Sequence, residues 1–534
     1  MLRFSDFKGT VKFTAVLLFA TLFSLSCPLV QADVVPNALF STGVVLQQGI
    51  RIPIWGKASP EEKISVSLLN QTISTKADSR GKWRVDFKPL RAGGPYQLSI
   101  SGKNLIKLNQ VFVGEVYLCG GQSNMEFPLA FSTGGEQAIK TSSDSLLHLF
   151  TVAHNVSSVP LASPTGQWTS ANPKTSATFS AVAYYFGRSL RKTLHVPIGL
   201  VLASWGGTPA QSWTSEKSLS DNALLKSYLG KYVAEQELYS KEMATYSRER
   251  DERLRESEIT RTNSLPIPPS PKTPSNPSTS SHSPSVLYNA MIAPLIPFGI
   301  RGTIWYQGEA NTGDAWLYQT LFPALIKNWR RDWQQGDFPF LFVQLAPYLK
   351  KTEAPSESSW AELREAQRLT SEQVNATGMA VITDLGDEKE IHPQDKETVG
   401  ERLALLSRNL IYKQKVEAQG PTFESVQFKE SKAEVTFKRI GGGLEAREGM
   451  TESELPKGRM PELKGFTLAG ENGVFYNATA IILEEKVILS CPKVPKPVSV
   501  RYGWANYPIG NLWNRAGLPA SPFRSDSLKL TTQP

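Results

Sequence analysis

At 534 residues the chain is too long for one hydrophobic core, so two or three domains are expected. Its composition, 40% hydrophobic and 20% charged with a formal charge of +9, is that of a globular protein. The basic residues are scattered and form no stripe interleaved with aromatics, which argues against a nucleic-acid partner.

Residues 1–32 have the pattern of an export signal. Arg3, Lys8 and Lys12 are followed by the apolar run Phe13 to Leu25, and Val30-Gln31-Ala32 supplies small residues for cleavage. The apolar core is short for a membrane span, and no later segment is apolar enough for one, so no stable membrane insertion is expected after cleavage. The expected location is periplasmic or extracellular. A lipoprotein anchor at Cys27 is disfavoured because Ser24 stands where a large apolar residue is wanted. With cleavage after Ala32 only Cys119 and Cys491 remain, too few for a disulfide framework or a thiolate metal site. Cys119 reads as a small buried hydrophobe.

Residues 33–109 read as all-β. Short alternating runs such as Ile64-Ser65-Val66-Ser67-Leu68 and Trp83-Arg84-Val85-Asp86-Phe87 are separated by turn clusters, giving a small β-sandwich. Residues 110–415 then alternate strands with helices, which predicts a parallel sheet. Its first strand carries the apolar residues Val111, Val113, Val116, Tyr117 and Leu118, stops at Gly120-Gly121 and delivers Gln122-Ser123-Asn124. Val196 to Ala203 ends likewise at Ser204-Trp205-Gly206-Gly207, and Ile300 to Tyr306 ends at Gln307-Gly308-Glu309-Ala310-Asn311. Further strands are expected at Phe338 to Leu345 and Met379 to Thr383, and helices at Phe179 to Leu194 and Glu397 to Tyr412. Residues 216–285 form an insertion: a charged, helix-prone stretch to Thr262, then the Pro/Ser tract Ser264 to Ser285, expected to be extended surface. Residues 416–534 are again β-rich, and Val500 to Phe523 is expected to pack back on the central domain.

Three apolar strands ending in glycine-containing polar turns describe a sheet with one functional edge. A serine there needs a base, an orienting acid and donors for an oxyanion. Histidine suits the base, with an ordinary pKa of about 6.5. Of five histidines, His282 lies in the Pro/Ser tract and reads as solvated, and His148, His154 and His195 have no acidic neighbour pattern. His392 follows a strand and the acidic turn Asp384 to Glu390, and Pro393 holds it in extended backbone.

The blocks Gly121-Gln122-Ser123-Asn124-Met125-Glu126, Trp205-Gly206-Gly207-Thr208-Pro209, Trp305 to Asn311, and Asp387 through Ile391-His392-Pro393 together resemble the sialate O-acetylesterase family, within the SGNH (GDSL-like) hydrolases. The resemblance runs from about Phe40 to Phe523. It implies an SGNH-type three-layer α/β/α domain and metal-free, cofactor-free hydrolysis of acetyl esters on carbohydrate. Ser123 would be the nucleophile and His392 the base. The oxyanion would be held by the Ser123 N–H, by Gly206 or Gly207, and by the amide of Gln307 or, second, Asn311. Many relatives carry an aspartate three residues before the histidine, where this chain has Lys389. Asp387 is therefore the first candidate acid, ahead of Glu390 and Asp384, and an acid-free Ser–His dyad is the alternative. Gln122, Asn124, Trp205, Trp305 and Glu309 are candidates for substrate contact, with a site-orienting role as the other reading of Glu309. The expected substrate is an O-acetylated sialic acid. An acetylated xylan or other polysaccharide is the alternative, and a non-catalytic carbohydrate-binding protein the more distant one. Oligomeric state is not legible.

Overall fold

The computed structural model describes residues 33–262, 269–447 and 461–534. The expected export signal at 1–32, Cys27 and residues 264–268 of the Pro/Ser tract lie outside the described residues. The fold is mixed α/β and is threaded by one strand, β1 (Leu105–Gly121). As far as Gln110 its side chains are exposed or half-buried, whereas Val111 to Gly121 is wholly buried. The change in pattern follows the change in surroundings, from a sheet open on one side to a sheet covered on both.

The first half of β1 pairs antiparallel with Gly93–Ser101, which continues to Lys63–Leu68 and Gln71–Lys76. A second sheet holds Val35–Pro36, Ile52–Lys57 and Lys82–Phe87. Ile64, Val66 and Leu68 of the first share a buried cluster with Trp83, Val85 and Phe87 of the second. That cluster is continuous with Trp305 and Trp329 of the central region. The expected boundary at 109/110 thus falls inside β1, which carries the core across it.

After β1 come α1 (Ser123–Glu126), β2 (Asp144–Thr151), β3 (Trp168–Ala171), α2 (Ala181–Leu194), β4 (Ile198–Ser204) and α3 (Lys226–Thr262). They are followed by β5 (Gly302–Tyr306), α4 (Ala315–Trp333), β6 (Phe340–Val343), α5 (Ser359–Gln373), β7 (Thr377–Ala380) and α6 (Lys396–Leu410). The central strands lie in the order β3-β2-β4-β1-β5-β6-β7, with β3 antiparallel to β2 and the other pairs parallel. Alternate residues take opposite faces. Tyr117, Ile304, Tyr306 and Leu341 pack with Val182 and Phe186 of α2 and Leu403 of α6. Leu118, Trp305 and Phe342 pack with Phe322 and Trp329 of α4 and Leu363 of α5.

Thr422–Lys429, Lys432–Lys438, Lys486–Ser490 and Thr479–Leu483 form one four-stranded sheet near the C-terminus. A second contains Phe475–Asn477, Phe466–Ala469, Ser499–Tyr502 and Phe523–Arg524. Residues 504–507 reach the central region: Tyr507 donates from its hydroxyl to the Gly386 carbonyl at 3.0 Å, and buried Arg364 donates to the Asn506 carbonyl at 3.0 Å.

Candidate active site

Register brings the three strand ends together. Gly121 is level with Ser204 of β4 and with Tyr306 of β5. The Gln122 N–H donates to the Tyr306 carbonyl at 3.0 Å and the Trp205 N–H to the Gly121 carbonyl at 3.1 Å, so the turns leave the sheet side by side. Gly121 has φ +143°, and a Cβ there would sit 2.1 Å from the Tyr306 oxygen. Only glycine permits this corner. A Cβ on Gly206 would come within 3.4 Å of the Ser123 Cβ, which places the second glycine turn against the serine.

The fourth segment, after β7, brings in His392. Its Nε2 lies 2.9 Å from Ser123 Oγ, and its Nδ1 lies 2.7 Å from Glu390 Oε1. The same Glu390 oxygen accepts the His392 N–H at 2.9 Å. That main-chain bond, followed by the imidazole, holds the Glu390 carboxyl below its ordinary range. The first-choice acid is therefore corrected. Asp387 turns away from the imidazole and accepts the N–H groups of Lys389 and Glu390 at 2.8 and 2.9 Å. Those two bonds lower its pKa, and it acts as the staple of the loop. Asp384 is taken by Arg402 through two 2.7 Å bonds.

Gln307 and Asn311 are also corrected as oxyanion amides. Both are buried, with Gln307 Nε2 donating to Asn311 Oδ1 at 2.7 Å and Asn311 Nδ2 to Gln211 Oε1 at 3.0 Å. Gln307 Oε1 accepts from the Tyr318 hydroxyl at 3.0 Å. Gly206 has its N–H on Glu126 Oε2 at 2.6 Å, while Gly207 is exposed with φ +74°. Among the candidate substrate contacts, Trp305 is wholly buried between Trp213 and Trp329 and reaches no substrate. Gln122 is buried, its Oε1 accepting from the Gly308 and Ala310 N–H groups. Trp205 is half-buried, its ring stacked on His154 at 4.2 Å.

Asn124, fully buried, joins three segments. Its Nδ2 donates to Glu309 Oε1 at 2.6 Å and to the Ile391 carbonyl at 3.1 Å, and its Oδ1 accepts from Lys396 Nζ. Asn124 and Glu309 are thus framework and not substrate contacts. Burial raises the Glu309 pKa, and its Oε2 has no partner among the described residues. Burial brings the Lys396 ammonium down to about 7.

Three residues of this region escaped sequence reasoning. Lys396 sits in the apolar register of α6 with Val399, Leu403 and Leu406, and a lysine on a buried stripe is itself a signal. Glu126 and His154 pair at 3.0 Å. For His154, no acidic residue nearby in sequence announces that partner. No group of three or more His, Cys, Asp or Glu is arranged to hold a metal among the described residues, nor is any helix there long and apolar enough to cross a membrane.

Comparison with known proteins gives the chain a family. Residues 279–407 match the family described as carbohydrate esterase, sialic acid-specific acetylesterase. Sialate O-acetylesterase of Rattus norvegicus is 31% identical over 418 residues, covering 70% of this chain and 73% of that protein. The Homo sapiens protein of that name is 29% identical over 417 residues, with 70% of each covered. The crystal structure of a carbohydrate acetylesterase from Xanthomonas citri is 35% identical, with a TM-score of 0.77 over 93% of this chain and 100% of that one. These likenesses, in a chain whose serine turn, glycine turn and histidine loop meet at one sheet edge, show that it belongs to the sialate O-acetylesterase family of carboxylic ester hydrolases.

Proposed function

We propose that the chain removes O-acetyl groups from carbohydrate by a Ser123–His392–Glu390 acyl-enzyme mechanism. The observation that carries this reading is the 2.9 Å approach of His392 Nε2 to Ser123 Oγ, with Glu390 on the other ring nitrogen. Glu390 keeps the Nδ1 proton on its own side, which leaves Nε2 free to accept the serine proton. Oγ attacks the acetyl carbonyl, and the sugar hydroxyl leaves with the proton from Nε2. Water activated by the same nitrogen then releases acetate.

The oxyanion donors are the N–H groups of Ser123 and Gly206. Glu126 now accepts from Gly206, so the acyl oxygen displaces that carboxylate, which stays paired with His154. Removing one such donor from a site of this kind costs about 3 kcal/mol in the barrier.

In this reading the central sheet and its helices form an SGNH-type three-layer hydrolase unit with β-sandwich accessory parts, in an exported protein. Acetate release from acetylated sialic acids and acetylated xylo-oligosaccharides, by wild type and S123A, tests it. The reading requires release from at least one sugar class by wild type and none by S123A. Undiminished turnover by S123A removes Ser123 from the mechanism.

A further inference from the structure

The insertion of residues 216–285 has no role in the chemistry above, yet it is built beside it. Helix α3 is 37 residues long and exposed along most of its described length, an arrangement that hydrophobic burial does not explain. It carries one ordered feature. Tyr228, Tyr232, Tyr239 and Tyr246 follow at spacings of 4, 7 and 7, which puts four rings on one stripe. Tyr228 is buried, Tyr232 and Tyr239 are half-buried, and Tyr246 takes a 3.2 Å hydrogen bond from Thr273 of the returning segment. Between α3 and that segment lies a groove of about 580 Å³, lined by Tyr232 and Tyr239 on one wall and His282 on the other.

The floor of the groove belongs to the active-site turns. Gln211 and Ala310 line it. Gln211 accepts from Asn311 at 3.0 Å, and the Ala310 N–H donates to Gln122, the neighbour of Ser123, at 3.3 Å. His282 reaches back so far that its Nε2 lies 4.0 Å from where a Cβ on Gly207 would stand. The groove therefore runs from the glycine turn beside Ser123 outward along α3.

We infer that this groove is a glycan-binding subsite, holding the sugar chain that extends beyond the acetylated residue. The inference rests on the carbohydrate reading above and deepens it, favouring a polymeric substrate over a single sugar. Tyrosine rings offer flat apolar faces to the C–H face of a pyranose, with a hydroxyl at the wet edge. Gln211, Glu235 and His282 in the same groove supply hydrogen-bonding groups for ring hydroxyls. The volume lies within the range of about 300–1,000 Å³ usual for ligand sites and exceeds one pyranose.

The test is a ratio: kcat/KM on acetylated xylohexaose over kcat/KM on p-nitrophenyl acetate, for wild type, Y232A/Y239A and Y232F/Y239F. Both substrates report on the same folded molecules, so lost folded protein cancels. The ratio should fall about tenfold in the alanine pair, through KM, and stay near wild type in the phenylalanine pair, which keeps the stacking faces. An unchanged ratio in the alanine pair, whether both activities drop or neither does, overturns the subsite. Wild type that cleaves p-nitrophenyl acetate but releases no acetate from any acetylated sugar overturns the carbohydrate reading itself, and the subsite with it.

Discussion

Asn124 donates its side-chain N–H to the main-chain oxygen of Ile391 at 3.1 Å. The residue after the proposed nucleophile is thereby bonded to the residue before the proposed base, although 267 positions separate them. Through the same amide, Lys396 and Glu309 are held on either side. Asn124→Ala leaves a buried ammonium and a buried carboxyl without their shared partner. The expected outcome is a stability loss of about 2–3 kcal/mol. In addition kcat should fall more than the loss of folded protein explains, because the His392 loop is no longer tied to the serine turn. Urea unfolding and active-site titration on one preparation check both.

Glu390 and Asp387 separate by role. Glu390→Gln should lower kcat by about 10- to 100-fold, less than removal of a fully buried triad acid, because water reaches this half-exposed side chain. Asp387→Asn keeps a side-chain oxygen for the two loop N–H groups and should change kcat far less. Equal effects of the two substitutions would contradict the assignment, and no effect of Glu390→Gln would favour an acid-free dyad.

Lys396 gives a pH dependence with a definite sign. Its folded pKa is depressed to about 7 from an ordinary 10.5. Between those values the unfolded chain binds more protons than the folded one, so this group makes stability rise with pH across that window. Below about pH 7 the cost of holding the buried charge is present in full. Comparing unfolding free energies of wild type and Lys396→Met from pH 6.5 to 9.5 isolates the slope. Wild type should gain stability relative to the variant as pH rises, and a difference that stays flat or runs the other way would rule out the depressed ammonium.

Glu126 accepts the Gly206 N–H that the proposed mechanism assigns to the oxyanion. A neutral amide holds that donor more weakly than a carboxylate does. It also puts no negative charge beside the developing oxyanion. Glu126→Gln should therefore raise kcat/KM on p-nitrophenyl acetate by roughly threefold. A decrease would mean that Glu126 instead holds the Gly206 turn in its productive orientation.

Much of the architecture was legible in one dimension, because it rests on patterns local to the chain. Val111 to Gly121 reads as a covered strand since all but Glu115 are apolar or glycine, and Gly120-Gly121 marks the corner since paired glycines end an apolar run in a turn. The same reasoning locates the turns at Gly206 and Gln307 and singles out Ser123 and His392. Only the folded chain decided which carboxylate serves the imidazole. Asp384, Asp387 and Glu390 share one short loop, and the choice among them follows from main-chain N–H groups and Arg402 claiming the first two. Composition cannot rank such competition, because a hydrogen bond is won by direction and distance. Likewise the amides of Gln307 and Asn311, the ring of Trp305 and the pairing of Glu126 with His154 took their roles from packing between segments that are distant in sequence.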